Sequence, residues 1–168
     1  MALFKGANEV PLYSTDFCYP HYQEAYFYYL FGVAEMDCYG LIDFVQESAI
    51  LFVPKLSNMC KIWMTVLTKD DFASKYGLEV RYIDELQEYM ATWCGVSSNT
   101  TVYVNQGINS DSKLQTQAPD QIYLAELRVN YDTMHDILAE SRTVKNDDEV
   151  LAMRWASQIA CESHVNVM

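Results

Sequence analysis

The sequence has 168 residues, of which 51% are hydrophobic, 14% aromatic and 20% charged. A chain of this length and composition can bury a sizeable core, so it is neither disordered nor fibrous and is most simply one domain. Its net charge of -12 would repel a nucleic-acid backbone and an anionic membrane surface, which argues against nucleic acid and membrane as partners.

Five cysteines indicate a reducing compartment. They stand at positions 18, 38, 60, 94 and 161. The number is odd and no pair has CxxC or metal-ligand spacing, so neither a disulfide framework nor a zinc site is predicted. No apolar run is long enough to span a membrane, and Met1–Lys5 is too short for a signal peptide. We therefore predict a soluble, cytoplasmic protein with reduced thiols.

A strand and a loose loop open the chain. Ala2–Lys5 is a short apolar run that predicts a strand, whereas Val10–Tyr13 contains Pro11, which cannot donate to a central ladder and favours an edge segment. The following loop contains His21, which has no ligand spacing to the other histidines. A surface or core histidine is favoured over a metal ligand at this position.

The stretch Gln23–Pro54 is rich in apolar residues. The aromatic and aliphatic run Tyr26–Phe31 predicts a short buried helix, and Gly32 can adopt the left-handed conformation that closes it. Two apolar runs follow, CYGLIDF and SAILFVP, joined through the polar VQES. This arrangement predicts two paired strands within a sheet.

Three motifs in this stretch resemble one protein family. They are an aromatic cluster ending in F-G-V, then C-Y-G-(L/V)-I-D, then an apolar strand closing on F-V-P-(K/R)-L. Together they resemble the N-terminal domain of the Xaa-Pro dipeptidases (prolidases), in the creatinase and aminopeptidase P superfamily. The resemblance implies a mixed sheet of about six strands, similar to that of ribonuclease H. The alternation of short strands and helices independently predicts an α/β fold with a mixed sheet covered by helices.

The segment Leu56–Leu67 is apolar but has no clean period. Its residues alone favour a cover over an edge of the sheet. The resemblance implies a second role, because in prolidase homodimers the N-terminal domain of one subunit leans over the active-site mouth of the other. The family's Trp-Met pair falls on Trp63 and Met64. These two residues are therefore our candidates for substrate gating and dimer contact.

Local signals predict the elements in the middle of the chain. Thr68 should cap a helix that Gly77 ends, and Asp84 should cap a second helix. The apolar face of the second helix comprises Leu86, Tyr89, Met90 and Trp93. Short strands are predicted at Glu79–Tyr82 and Thr101–Val104.

The polar loop Asn105–Ser112 could suggest a phosphate-binding turn, but its spacing fits neither G-x-G-x-x-G nor G-x-x-x-x-G-K-(S/T). It resembles the prolidase loop (R/K)-G-x-N-(S/T)-D-S. Gln106 stands where that motif has its basic residue, so we carry no role for that charge over to this chain.

The last predicted elements are a strand and two helices. Leu127–Tyr131 is apolar enough for a strand, and Thr133–Ala139 predicts a helix. The inward residues of that helix should be Met134, Ile137 and Leu138. Asn146 and Glu149 have capping-box spacing before a helix that begins at Asp147 and continues to the end.

The run R-x-x-K-x-x-x-E-(V/I)-x-x-(M/L)-R, here at 142–154, resembles the prolidase passage from the N-terminal domain into the first helix of the catalytic domain. We therefore predict an N-terminal domain at 1–141, followed at 142–168 by a linker and that first helix. In the family, a helix also precedes the first strand.

The resemblance places catalysis outside this chain. The family's catalytic domain has a pita-bread fold that holds two divalent metals, manganese or cobalt, with two Asp, one His and two Glu, all downstream. We predict no catalytic and no metal-binding residue here, and no activity for this domain alone. One interpretation is the N-terminal domain of a metal-dependent Xaa-Pro dipeptidase, which aids dimerisation and walls the active site that cleaves Xaa-Pro dipeptides. The alternative is a creatinase-like protein-binding module without peptidase activity.

Overall fold

Six strands form one mixed sheet in the part of the chain that the structure describes. The structure, a computed structural model, describes residues 1–96, 100–116, 118–125 and 127–168, and only the backbone of 94–96. The strands are β1 (Ala2–Lys5), β2 (Tyr39–Asp43), β3 (Ser48–Val53), β4 (Glu79–Tyr82), β5 (Thr101–Val104) and β6 (Arg128–Asn130). Their order is β4-β3-β2-β1-β5-β6. The predicted mixed six-stranded sheet is confirmed.

Helices fill most of the connections. They are α1 (Ala25–Phe31), α2 (Lys69–Tyr76), α3 (Leu86–Val96), α4 (Gln121–Leu124), α5 (Met134–Ser141) and α6 (Asp147–Val167). Short 3-10 turns occur at Asn58–Ile62 and Ile83–Glu85. The chain divides into two compact units, Met1–His135 and Asp136–Met168. None of the described helices combines the length and apolar character needed to cross a bilayer.

The sheet is buried on both faces at its strands β1, β2 and β3, which explains why these strands are almost continuously apolar. Because successive side chains of a strand point to opposite faces, Leu3 and Phe4 of β1 face different layers. One layer is a core cluster in which Leu3 joins Leu86 and Met90 of α3. On the other face the rings of Phe4 and Phe31 are 5.9 Å apart, so α1 covers that side.

Gly40 of β2 lies directly beneath this aromatic layer. A Cβ atom built there would come within 2.3 Å of the Phe31 ring. The glycine of the C-Y-G motif therefore allows α1 to pack closely on the sheet. The predicted hairpin is also confirmed, because β2 and β3 pair antiparallel from Tyr39 opposite Phe52 to Asp43 opposite Ser48.

The predicted helix ends follow local chemistry. Gly32 closes α1 with φ at 66°, a left-handed conformation that favours glycine. Thr68 and Asp71 form a capping box at the start of α2. Asn146 and Glu149 form another before α6, through two hydrogen bonds of 2.8 Å.

Two sequence predictions about helices are wrong. Asp84 does not cap α3, because it lies inside the 3-10 turn Ile83–Glu85, which leads directly into the helix. The amide of Tyr82 before that turn donates instead to the Glu85 carboxylate at 3.2 Å. Ile137 is 52% exposed, because only the i, i+4 pair Met134 and Leu138 lies on the buried side of α5.

A buried carboxylate connects the β2–β3 turn to α3. Asp43 is 1% exposed, and its Oδ1 accepts hydrogen bonds from the amides of Val45 (2.8 Å) and Gln46 (3.2 Å). Its Oδ2 accepts from the Trp93 indole at 3.0 Å. Burial alone would raise the pKa of Asp43, but these three donors outweigh it and hold the pKa below its usual range.

Asp43→Asn should therefore destabilise the chain by about 2 to 3 kcal/mol at neutral pH, because an amide cannot accept all three hydrogen bonds. A carboxylate with a lowered folded-state pKa stabilises the fold above its unfolded pKa of 3.8, and this stabilisation is lost as the pH falls through the folded value. Urea melts should therefore show a smaller difference in the free energy of unfolding between wild type and Asp43→Asn at about pH 3 than at neutral pH. The control is Asp16→Asn, which changes an exposed carboxylate. If wild type and Asp43→Asn differed equally in free energy of unfolding at both pH values, Asp43 would not have a lowered pKa in the folded state.

The described cysteines are free thiols in distinct environments. Cys18 and Cys161 are exposed, Cys60 is partly buried and Cys38 is buried. The side chain of Cys94 lies outside the described residues. Burial away from water, with Glu35 and Asp37 nearby, raises the pKa of the Cys38 thiol to about 12.

Thiol titration under denaturing, non-reducing conditions should count five cysteines per chain. In the native protein near pH 8, Cys38 should react with iodoacetamide at least about a hundredfold more slowly than Cys161, because the thiolate is the reactive species. Mass spectrometry of time points measures both rates, and urea should remove the difference. A count of three or fewer would reject the prediction of reduced thiols.

Candidate functional site

The topology sends several loops away from the same edge of the sheet. Strands β1, β3, β4, β5 and β6 run in one direction and only β2 is antiparallel to its neighbours. The loops that follow β1, β3 and β5 therefore all leave from the edge at which these strands end, which we call the carboxyl edge.

Within the unit Met1–His135, most of the large exposed apolar side chains lie in these three loops. The loops contain Val10, Tyr13, Phe17, Tyr19 and Tyr22 after β1, Leu56, Met59, Ile62, Trp63 and Met64 after β3, and Ile108 and Leu114 after β5. Exposed apolar groups in such number are typical of a surface that meets another molecule. The sequence indicated the loop after β3 but not the aromatic loop after β1.

The loop after β3, residues 54–68, holds both predicted site residues on a defined backbone. Its 3-10 turn Asn58–Ile62 has no buried residue, and the amides of Trp63 and Met64 both donate to the Cys60 carbonyl at 3.0 Å. Trp63 is 87% exposed and Met64 is 51% exposed. The loop thus presents both side chains to solvent, contrary to a simple cover over the sheet edge.

Both ends of this loop are firmly attached. Val53 before it is buried in the sheet, and Thr68 after it caps α2. The ring of Tyr82 lies between two lysines, with Nζ of Lys55 at 5.5 Å and Nζ of Lys69 at 4.7 Å from its centroid. These cation–π contacts hold the beginning and the end of the loop on β4.

An ion pair and a phenol fix the end of the β5–α4 connection at the carboxyl edge. Lys5 Nζ donates to Asp120 Oδ1 and the Tyr39 hydroxyl donates to Oδ2, each at 2.7 Å. The hydrogen-bonded lysine lowers the pKa of Asp120 against the opposing effect of partial burial, and Tyr39 adds to the lowering. Burial and the Asp120 carboxylate raise the pKa of Tyr39, so its hydroxyl remains a donor.

The polar loop after β5 uses its own backbone donors internally. The Gly107 amide donates to Thr116 Oγ1 at 2.7 Å, and the amides of Asp111 and Ser112 donate to Asn109 Oδ1 at 2.9 Å. An anion would have to displace these partners. The structure therefore gives no support to a phosphate-binding turn, in agreement with the mismatch of motif spacing.

At the start of this loop, Asn105 is buried and its Oδ1 lies 3.1 Å from Nδ1 of His135. The imidazole packs edge-on against Tyr26 at 5.2 Å and occupies the space that a side chain at Gly107 would need. These contacts give His135 a packing role. Among the residues the structure describes, no three His, Cys, Asp or Glu side chains converge as metal ligands.

Comparison with known proteins identifies the fold family. The family profile described as "Aminopeptidase P, N-terminal domain" matches residues 1–103, more than half of the chain. The chain belongs to this family. The resemblance found in the motifs of Gln23–Pro54 is thereby confirmed.

Two Xaa-Pro dipeptidases are similar to this chain over nearly its whole length. The Xaa-Pro dipeptidase of Mus musculus is 31% identical over 99% of this chain and 33% of its own length. That of Homo sapiens is 29% identical over 100% of this chain and 34% of its own length. The chain thus spans about a third of the length of these relatives.

Solved structures show the same fold. Aminopeptidase P from E. coli, in its low-pH form, matches with a TM-score of 0.75 and 22% identity over 97% of this chain and 39% of that one. An aminopeptidase P from Bacillus anthracis matches with a TM-score of 0.67 and 16% identity over 89% of this chain and 38% of that one. At such identities the likeness concerns the fold alone.

The exposure of Trp63 predicts a small effect on stability. Trp63→Ala should change the free energy of unfolding by about 1 kcal/mol or less, because little contact area is lost. The control is Trp93→Ala, which removes a half-buried ring and the donor to Asp43 and should cost about 3 kcal/mol. Urea melts of both variants measure the change in the free energy of unfolding. A loss above about 3 kcal/mol for Trp63→Ala would make Trp63 an ordinary core residue.

Proposed function

We propose that this chain is the non-catalytic N-terminal domain of a metal-dependent Xaa-Pro dipeptidase. In this proposal it contributes to a homodimer in the cytoplasm, and its loop after β3 forms part of the wall around the active site of the partner subunit. Residues 142–168 contain the linker and the first helix of the catalytic domain. The substrates are dipeptides with proline in the second position.

The exposure of Trp63 and Met64 is the observation that carries the proposal. An indole that is 87% exposed contributes little to the core of its own chain, and its loop is anchored at both ends. Such a side chain on a defined backbone can close over a small peptide without a large loss of backbone entropy. The dipeptidases among the relatives support a peptide as the occupant of that space.

The other exposed loops at the carboxyl edge support the dimer contact. The aromatic loop after β1 presents Tyr13, Phe17 and Tyr22, each at least 75% exposed. Two hydrogen bonds stabilise its tip, from the Leu12 amide to Phe17 (2.7 Å) and from the Tyr19 amide to Val10 (2.9 Å). Tyrosine and phenylalanine on a preformed loop are favourable interface residues, because they bury much area with few rotatable bonds.

The proposal assigns the hydrolytic chemistry to another domain. Two divalent metals, manganese or cobalt, would activate water there for attack on the peptide bond. Among the described residues of this chain, no three His, Cys, Asp or Glu side chains converge as metal ligands, and the proposal gives them no direct part in the hydrolysis. Their part is to restrict access, exclude water and orient the dipeptide.

Mixed dimers of the full-length protein test the proposal. If Trp63 acts on the partner's active site, Trp63→Ala on one subunit and loss of the metal ligands on the other should leave Gly-Pro hydrolysis near half of wild type. When both changes are on the same subunit, Gly-Pro hydrolysis should fall several-fold further. The other subunit then has the only active site with metal ligands, and that site lacks the Trp63 indole that its partner would supply. Dimers with only one metal-deficient subunit are the control.

Equal activities in the two mixed dimers would contradict action across the dimer. A full-length protein that binds no metal and hydrolyses no Gly-Pro would instead favour the protein-binding module. Under that alternative, the same exposed loops would bind a partner protein.

A further inference from the structure

A concavity lies at the edge of the sheet opposite to the carboxyl edge, which we call the amino edge. It has a volume of about 580 Å³. Its lining comes from four separate segments, namely the start of β1, the β2–β3 turn, α3 and the residue before β5. These segments meet because β1 and β5 begin at this edge, whereas the antiparallel β2 ends there. The amino-edge concavity is therefore built by the tertiary structure and by none of the loops at the carboxyl edge.

Contacts within the chain hold the walls of the amino-edge concavity in place. The Trp93 indole donates to Asp43 Oδ2 at 3.0 Å and thereby joins α3 to the β2–β3 turn. The ring of Phe44 in that turn packs edge-on against Tyr103 of β5, with 6.2 Å between the ring centroids. A site whose walls are held in this way loses little conformational entropy when a small ligand binds.

Aromatic rings form much of the lining. Phe44, Tyr89 and Trp93 all line the concavity, and Phe44 is 51% exposed. Tyr89 and Trp93 are four residues apart on α3, so they lie on the same face of the helix. The faces of such rings attract cations, and the guanidinium of Arg81 already lies 4.9 Å from the centroid of the Tyr89 ring. The lining therefore suits a cation that also has apolar surface.

The charges around the amino-edge concavity favour a cation. Asp43 is 1% exposed, so its carboxylate acts on a ligand through its charge and not through direct contact. Helix α3 ends at Val96, and the C-terminal end of a helix carries partial negative charge. Two positive charges oppose these effects: Arg81, which pairs with Glu79 at 2.7 Å, and the amino group of Met1, which contributes to the lowered pKa of Asp43. The net charge of -12 draws cations to the chain as a whole.

The lining suits an organic cation better than a metal ion. A metal ion needs several converging ligand atoms, and the part of the chain that the structure describes has no group of three His, Cys, Asp or Glu side chains that could hold one. A quaternary ammonium group needs no such ligands, because its positive charge is spread over methyl groups that pack against aromatic rings.

We propose that the amino-edge concavity binds a small quaternary ammonium compound, with its methyl groups against Phe44, Tyr89 and Trp93. Nothing in the proposed function assigns a ligand to this edge of the sheet. The inference therefore goes beyond that function and does not rest on it.

Calorimetric titration of the 168-residue chain with choline tests the inference. The matched control ligand is the uncharged alcohol in which a carbon atom replaces the nitrogen of choline, since it has the same shape without the charge. Choline should bind about tenfold more tightly than this alcohol, because only choline gains cation–π attraction. Equal affinities would overturn the inference, since the concavity would then bind apolar groups regardless of charge.

The indole N–H signals in the NMR spectrum locate the bound choline. Trp63→Phe and Trp155→Phe, which change exposed side chains, assign two of the three signals and leave the third to Trp93. Choline should shift the Trp93 signal. Trp63 is 87% exposed and would report unspecific binding to any accessible ring. A larger shift for Trp63 than for Trp93, or no shift of Trp93, would overturn the inference.

Phe44→Leu keeps an apolar side chain in the lining but removes an aromatic face. It should weaken choline binding about fivefold and leave the affinity for the uncharged alcohol unchanged. The control is Phe17→Leu, which removes a ring that is 75% exposed in the loop after β1 and should change neither affinity. Urea melts establish that both variants are folded. Wild-type affinity of folded Phe44→Leu for choline would contradict the role of the ring.

The inference and the proposed function fail separately. If choline does not bind at the amino edge, the expected activities of the mixed dimers are unaffected. If the mixed dimers show no action of Trp63 across the dimer, the choline titration and the shift of the Trp93 signal still decide the inference.

Discussion

The fold depends on a sheet that is buried on both of its faces. Apolar side chains must then fill both sides of the central strands, and the faces of the sheet are closed to polar or charged groups. Asp43 of β2 is buried nevertheless, and its charge is tolerated because three donors reach its carboxylate. Groups that interact with other molecules are consequently confined to the edges, where loops leave the sheet.

At the carboxyl edge, the loop after β3 combines a defined backbone with exposed side chains. The buried end of β3, the capping box at Thr68 and the lysines on either side of Tyr82 restrain its ends. The backbone that carries the indole of Trp63 is therefore held in place, while the indole itself is 87% exposed. That preorganisation lowers the entropic cost of binding, and it makes this loop a stronger candidate for function than the rest of the surface.

The relationship to aminopeptidase P extends over the fold more completely than over the sequence. Identities of 16 to 22% accompany TM-scores of 0.67 to 0.75, because many apolar residues can fill the same two layers around a sheet. Positions with close contacts tolerate fewer residue types. At Gly40, for example, a larger side chain would collide with the Phe31 ring and displace α1.

The sequence by itself determined the elements whose signals are local. Gly32, the Thr68 capping box and the apolar runs of the hairpin act through neighbours a few residues away, and they are found where predicted. Only the tertiary structure decided the outward position of Ile137 and the exposure of Trp63. Each of these depends on residues distant in the chain, as does the hydrogen bond that joins Trp93 to Asp43. The physical reason is that burial and charge pairing are set by packing between elements, which no local pattern encodes.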